Sequence, residues 1–295
     1  MEVIIPAHSG FCPGVKSAER KVFEEKRARP GRTLYVNGFL INNKNFIAFL
    51  EANGVRTVEA MEDVPDGSVV FIRTHGLHRE EEAALRKKYE VVDLTCAHVK
   101  KVQEEIARRS REGYDTVIAG TKDHPETKGL VSYSTGRCHV LENPADLKAY
   151  ARTMDTSRRV FLCSQTTGSR AFFEEVRRSL EVLYGPDQRA RLCVFDPICP
   201  VTEKKEDEAL RLQKETDVSF VIGDRLSANA NKLYKRLSAD KREVHFIEDR
   251  RELEALGLPL TRYRRALVVS SASTPGFIEK DVVDFLSSIE TMSSR

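Results

Sequence analysis

The chain has 295 residues, enough for one large α/β unit or two to three small ones. Hydrophobic residues make up 40 %, ordinary for a globular core, and 48 basic against 45 acidic side chains leave a net charge of +3, too balanced for the basic stripe of a nucleic-acid binder. No apolar run approaches the roughly 20 residues that span a bilayer, and the first residues enter Glu2-Val3-Ile4-Ile5 without a secretory pattern, so a soluble cytoplasmic protein is expected, with no membrane and no nucleic-acid partner.

Short β-branched runs alternate with longer amphipathic, charged ones. The predicted strands are 3–6, 34–37, 69–73, 90–94, 115–119, 159–163, 192–195, 217–222, 243–247 and 266–270. The predicted helices are 14–28, 43–53, 79–88, 98–112, 170–184, 202–215, 227–237 and 277–289. This alternation predicts an α/β protein with mostly parallel sheet. No low-complexity linker divides it, so its modules should pack closely. Three modules are expected, 1–96, 97–198 and 199–295, the first with Cys12 and Cys96 towards its two ends. The densest basic stretch, Arg262-Tyr263-Arg264-Arg265, reads as a solvated approach to a strand.

The six cysteines do not suggest a disulfide framework in a chain of this length without a signal. Cys163 and Cys193 fall in strand-like apolar runs and Cys138 follows Gly136-Arg137, so all three read as small hydrophobes. Cys12, Cys96 and Cys199 differ. Each ends a strand-like run and opens a charged, helix-like one, about a third of the chain apart. A helix N-terminus favours a thiolate through its free N–H groups and dipole. Three such thiolates on one centre would make a metal or iron–sulfur site with one position open.

In parallel α/β sheets, ligands collect at the C-terminal strand ends. There this chain places Thr74-His75-Gly76, Gly120 to Glu126, Ser164 to Ser169, Ser227 to Asn231 and Ser271 to Pro275. Singly, such residues serve as caps and turns. Together, beside thiolates, they are equipment for a phosphate or diphosphate.

Eight strings follow one another along nearly the whole chain: Gly10-Phe11-Cys12-Pro13-Gly14-Val15, Thr74-His75-Gly76, Asp93-Leu94-Thr95-Cys96, His124-Pro125-Glu126 with Gly129, Gln165-Thr166-Thr167, Ile198-Cys199, the Ser227/Asn229/Asn231 segment and Ala272-Ser273-Thr274-Pro275. In that order they resemble the signature of the 4-hydroxy-3-methylbut-2-enyl diphosphate reductase family, IspH or LytB. The resemblance implies three small α/β modules in pseudo-threefold arrangement around a central cluster. It implies a [4Fe–4S] cluster held by Cys12, Cys96 and Cys199, with a fourth iron open to substrate. Glu126 matches the family's essential acid, and Thr166 a residue that orients the substrate hydroxyl or a water. His75, His124, Ser227, Asn229 and Ser273 match groups around the diphosphate, with Gln165 and Asn42 also in the substrate set and His124 also in the catalytic one. The reaction implied is reductive removal of an allylic hydroxyl, the last step of non-mevalonate isoprenoid synthesis. No Gly-x-Gly-x-x-Gly follows a strand, so electrons are expected from a ferredoxin or flavodoxin.

Four positions depart from the family pattern. Asn42 replaces a histidine, Ala228 a serine, Asp123 a glycine and Pro200 an aromatic residue. They touch the expected substrate pocket and spare the cluster ligands and Glu126. A second reading therefore keeps fold and cluster but assigns a different small hydroxylated substrate. A third, a zinc or structural protein, lacks the close paired cysteines of structural zinc sites.

Overall fold

Four mostly apolar runs, Val69–Ile72, Asp115–Ala119, Val160–Ser164 and Val218–Ile222, are buried at every position, as expected of strands covered on both faces of parallel sheet. The computed structural model describes residues 1–240 and 242–290. In chain order, β1 (Glu2–Ile4), α1 (Pro13–Ala28), β2 (Leu34–Asn37), α2 (Lys44–Ala52) and β3 (Val55–Val58) are followed by β4 (Val69–Ile72), α3 (Arg79–Lys88), β5 (Glu90–Asp93) and α4 (Ala97–Arg111). Then come β6 (Asp115–Ala119), α5 (Pro125–Val131), β7 (Cys138–Leu141), α6 (Pro144–Thr153), β8 (Val160–Ser164), α7 (Arg170–Gln188) and β9 (Leu192–Val194). The chain closes with α8 (Pro200–Gln213), β10 (Val218–Ile222), α9 (Ala228–Ser238), β11 (Val244–Ile247), α10 (Arg250–Ala255), β12 (Arg265–Ser270) and α11 (Gly276–Ser288).

The strands form three four-stranded sheets, ordered β1-β12-β10-β11, β3-β2-β4-β5 and β7-β6-β8-β9. The registered pairs are parallel. β1 departs from a division of the chain at residues 96 and 198. It pairs with β12, Glu2 opposite Arg265 and Ile4 opposite Leu267, so the first strand of the chain lies in the last sheet. The chain forms two compact units, Met1–Met61 with Pro200–Arg295, and Glu62–Cys199.

Two edge strands and three short helices lie outside the predicted set: β3, β7, α5, α6 and α10. β3 and β7 are four residues each and mostly half-exposed, so they lack the buried apolar run that marks a central strand. The three helices announce themselves only by caps. His124 precedes Pro125, Asn143 precedes Pro144, and the Asp249 side chain accepts the Glu252 N–H.

Alternation along the strands gives each sheet two apolar faces. In the Glu62–Cys199 unit, Val117, Ala119, Val160 and Leu162 pack with Leu147 and Tyr150 of α6 and Phe173, Val176 and Leu180 of α7. On the other face, Ile118, Phe161 and Cys163 pack with Val102 and Ile106 of α4 and Leu130 of α5, with Cys138 and Cys193 at the margin. In the other unit, Phe220, Ile222 and Val268 meet Ile278, Val282 and Leu286 of α11. Val221, Leu267 and Val269 there meet Ala209 of α8 and Leu233 and Leu237 of α9. Truncating a fully buried ring such as Phe161 to alanine would cost about 3–5 kcal/mol. With both faces covered by helices, polar loops are left at the strand ends.

Candidate functional site

In the Glu62–Cys199 unit, the loop after β6 enters α5 through His124 at the N-cap and Pro125 in the first turn. His124 Nδ1 accepts the Glu126 N–H at 3.2 Å, which seats Glu126 in that turn. The loop after β8 runs beside it. A Cβ on Gly120 would stand 3.0 Å from Gln165 Cβ and 3.3 Å from Thr127 Oγ1, so glycine lets the two loops close. Gln165 ties them: its Oε1 accepts the Thr121 N–H at 3.3 Å and its Nε2 donates to Thr167 Oγ1 at 2.8 Å. The Gln165 amide is thus engaged within the protein.

Glu126 is 1 % exposed. Thr166 donates its N–H to Oε1 at 2.5 Å and its hydroxyl to Oε2 at 2.9 Å. Burial pushes the carboxyl up to about 7, while the two Thr166 bonds pull the other way. Such a group exchanges its proton near neutral pH, as a general acid requires. The carbonyl of Thr166 accepts the Cys199 N–H at 2.8 Å, so one residue links the acid to a cysteine.

β4 ends in Thr74-His75-Gly76. Gly76 has φ 75°, and a Cβ there would lie 2.7 Å from Gln103 Nε2, so the turn requires glycine. The rings of His75 and His124 meet edge to face, centroids 5.3 Å apart and planes at 87°. Burial lowers both, His75 to about 3 with His124 and Arg73 adding to the effect, and His124 to about 4 with Arg73 adding. Both imidazoles are neutral at pH 7. Arg73 is absent from the predicted set. Its signal is a basic residue at the exit of an all-apolar strand. The Thr74 carbonyl accepts the Cys96 N–H at 3.0 Å. Asp93 braces that turn, accepting the Thr95 N–H at 2.9 Å and pairing with Lys100 at 2.6 Å.

The other compact unit, Met1–Met61 with Pro200–Arg295, holds the remaining candidates. Cys12 caps α1, its Sγ accepting the Val15 N–H at 3.5 Å, with Pro13 in the first turn. Its N–H reaches the Ala272 carbonyl at 3.5 Å. Next to Ala272, Ser273 Oγ lies 3.0 Å from Ser227 Oγ and 3.1 Å from Ser271 Oγ, a buried chain of hydroxyls. Among the described residues, Asn229 Oδ1 is buried without a hydrogen-bond partner. Asn42 is half-buried ahead of α2, whose N-cap is Asn43, and Ala228 is exposed at the first position of α9. The structure thus connects Cys96, His75, His124, Glu126, Thr166 and Cys199 in one unit, and Cys12, Ser273 and Ser227 in the other. Asn42 joins neither chain of contacts. His8, His78 and His245 do local work: His8 and His245 meet Glu208 and Glu243, and His78 caps α3.

None of the six cysteines is in a disulfide; Cys163 is buried, and Cys12, Cys96 and Cys199 are half-buried. Among the described residues, no three His, Cys, Asp or Glu side chains gather as ligands of a single metal ion. Thiolates that hold separate irons of a cluster stand farther apart than ligands of one ion. Among the described residues, no helix is long and apolar enough to cross a membrane.

A family model described as LytB protein matches residues 3–287. The chain belongs to the LytB family. Its LytB relatives include the 4-hydroxy-3-methylbut-2-enyl diphosphate reductase of Geobacter sp. (strain M21), 35 % identical over 291 residues that cover 98 % of each chain. The protein of that name from Caldanaerobacter subterraneus subsp. tengcongensis is 32 % identical over 293 residues, again 98 % of each. A solved structure of (E)-4-hydroxy-3-methyl-but-2-enyl diphosphate reductase is 32 % identical, covers 98 % of this chain and 99 % of its own, and has a TM-score of 0.73. The solved E-1-hydroxy-2-methyl-but-2-enyl-4-diphosphate reductase from Plasmodium falciparum is 23 % identical and covers 100 % of this chain and 93 % of its own, a likeness of fold at TM-score 0.84. The three parallel α/β sheets are therefore a LytB fold.

Proposed function

We propose that this LytB protein removes the allylic hydroxyl of 4-hydroxy-3-methylbut-2-enyl diphosphate, giving isopentenyl and dimethylallyl diphosphate and water. The observation that carries the reading is Glu126, a carboxyl buried at a strand-end loop, raised to about 7 and held on both oxygens by Thr166. The names of the relatives support the substrate.

Cys12, Cys96 and Cys199 would hold the family's [4Fe–4S] cluster. The donor set fits: three half-buried cysteines outside any disulfide, with Cys12 and Cys96 at helix N-caps and Cys199 just ahead of α8. When bound, the cluster supplies electrons and a Lewis-acidic iron. The protein's own residues do the rest. Glu126 holds the proton that leaves with the hydroxyl as water, and the Thr166 hydroxyl orients the departing oxygen beside it. His75 and His124, neutral imidazoles beside Arg73, offer ring N–H donors to the diphosphate. Ser227, Ser273 and Asn229 offer hydroxyls and an amide to the same group. Two electrons come from a ferredoxin or flavodoxin, since no dinucleotide fingerprint follows a strand, and a second proton from solvent forms the new C–H bond, so that the alcohol, two electrons and two protons give the product and water.

The test is anaerobic turnover of the diphosphate by cluster-reconstituted protein with a reduced viologen. Substrate-dependent dye oxidation, with both diphosphate products formed, is expected. An intact cluster signal without turnover would overturn the substrate. The departures Asn42 and Ala228 favour a second reading, a LytB protein acting on a different small hydroxylated compound.

A further inference from the structure

Lys205 lies in α8, within the charged run Glu203-Lys204-Lys205-Glu206-Asp207, yet it is 3 % exposed. Burying an ammonium costs several kcal/mol unless partners replace its water. Among the described residues, no carboxylate lies within ion-pair distance of it. Its Nζ donates instead to two main-chain carbonyls, Gly10 at 2.5 Å and Ser270 at 3.1 Å. Gly10 is two residues ahead of Cys12, and Ser270 is the last residue of β12. Gly10 adopts φ 72° and sends its own N–H to the Ser270 carbonyl at 3.3 Å. The ammonium therefore closes a three-way junction between α8, the end of β12 and the turn that presents Cys12.

Charge points the same way. Burial lowers Lys205 to about 8, and the first influence raising it is Cys12, followed by Glu279, with Lys16 opposing. A cation kept in so dry a place is best accounted for by an anion in front of it.

We propose that Lys205 is a positioning residue for the cluster ligand Cys12, pinning its turn to β12 and holding a positive charge behind the thiolate. This rests on the cluster assignment above. A helix lysine serving only as a strut would brace the turn but leave the redox centre's electronics alone. A fixed positive charge near a cluster favours its reduced form and raises its potential.

The experiment compares Lys205→Met, Lys205→Gln and Lys205→Arg with the unaltered chain. The whole 295-residue chain is cluster-reconstituted, its midpoint potential taken by anaerobic redox titration followed by electron paramagnetic resonance. Amide exchange at Gly10 and Cys12 is measured in the cluster-free protein. Lys205→Met should hold the electron about tenfold more weakly, roughly a 59 mV fall for a one-electron couple, and exchange those amides at least tenfold faster. Lys205→Arg should restore both. Lys205→Gln, which keeps donors but not charge, carries the test if the Met variant does not fold; its potential should fall as far. Potentials equal to the unaltered protein's in the Met or Gln variant would overturn the inference. If the unaltered chain takes up no cluster, the cluster assignment fails, and the charge role fails with it. Loaded protein with unmoved variants would refute the role of Lys205 alone.

Discussion

Thr166 holds Glu126 by both carboxyl oxygens, through its N–H at 2.5 Å and its hydroxyl at 2.9 Å, while its carbonyl holds Cys199. One residue of a strand-end turn thus sets the orientation of the acid and the position of a candidate ligand. Removing the acid should separate chemistry from assembly. Glu126→Gln keeps size and burial but cannot ionise. Iron and sulfide content should stay at the level of the unaltered protein, with turnover down by on the order of 100-fold or more. Unchanged turnover would refute the acid role.

Glu126 also makes stability depend on pH. Its folded value, about 7, lies above the ordinary 4.5, so the folded state holds the proton more tightly. That contribution is full below about 4.5 and is lost as pH rises through about 7, on the order of 3 kcal/mol across the window. Urea midpoints between these pH values should fall in the unaltered protein and change less in Glu126→Gln.

Thr166→Val removes the hydroxyl donor and leaves the N–H. The hydroxyl bond stabilises the ionised carboxylate, so its loss should move the alkaline limb of the pH–rate profile to higher pH. Stability should drop by about 1–2 kcal/mol, read from the urea midpoint. A limb that stays in place would show that the hydroxyl bond does not tune the carboxyl.

Five of the six cysteines should divide by role. Serine at Cys12, Cys96 or Cys199 should lower bound iron by at least half, measured after anaerobic reconstitution. Cys138→Ser and Cys193→Ser should leave it unchanged, because those thiols sit at the margin of an apolar core on β7 and β9. Loss of iron in the second pair with retention in the first trio would reverse the ligand assignment.

Asn42→His with Ala228→Ser adds an ionisable ring and a hydroxyl where this chain lacks them. With the proposed substrate, kcat/KM should rise by up to about tenfold, mostly through KM. Turnover of the diphosphate by the double variant alone, and none by the unaltered chain, would favour the different-substrate reading.

Much of the fold was legible because central parallel strands are mostly apolar, β-branched runs; β4, β6, β8 and β10 announce themselves. β3 and β7 do not, since a short edge strand with exposed positions looks like loop. The pairing of β1 with β12 joins residues more than 260 apart in sequence, and no local pattern records it. At the site, Glu126 was readable from its motif, yet its raised pKa comes from burial, and the bonds that oppose the rise come from Thr166, 40 residues away. Arg73 was missed because its influence on His75 and His124 depends on where two separate loops meet.

By itself, the amino-acid order determined the α/β class, the family, and which cysteines and carboxyl stand at strand ends, because burial periods and loop motifs are local properties of the chain. Only the tertiary structure decided what those groups are. Lys205 shows the reason. In the sequence it belongs to a solvated charge run, and folding turns it, with Glu206, Ala209 and Gln213, to the buried side of α8. There, water is gone and two carbonyls take its place. A charge has its chemistry set by its surroundings, and the surroundings come from segments far away along the chain.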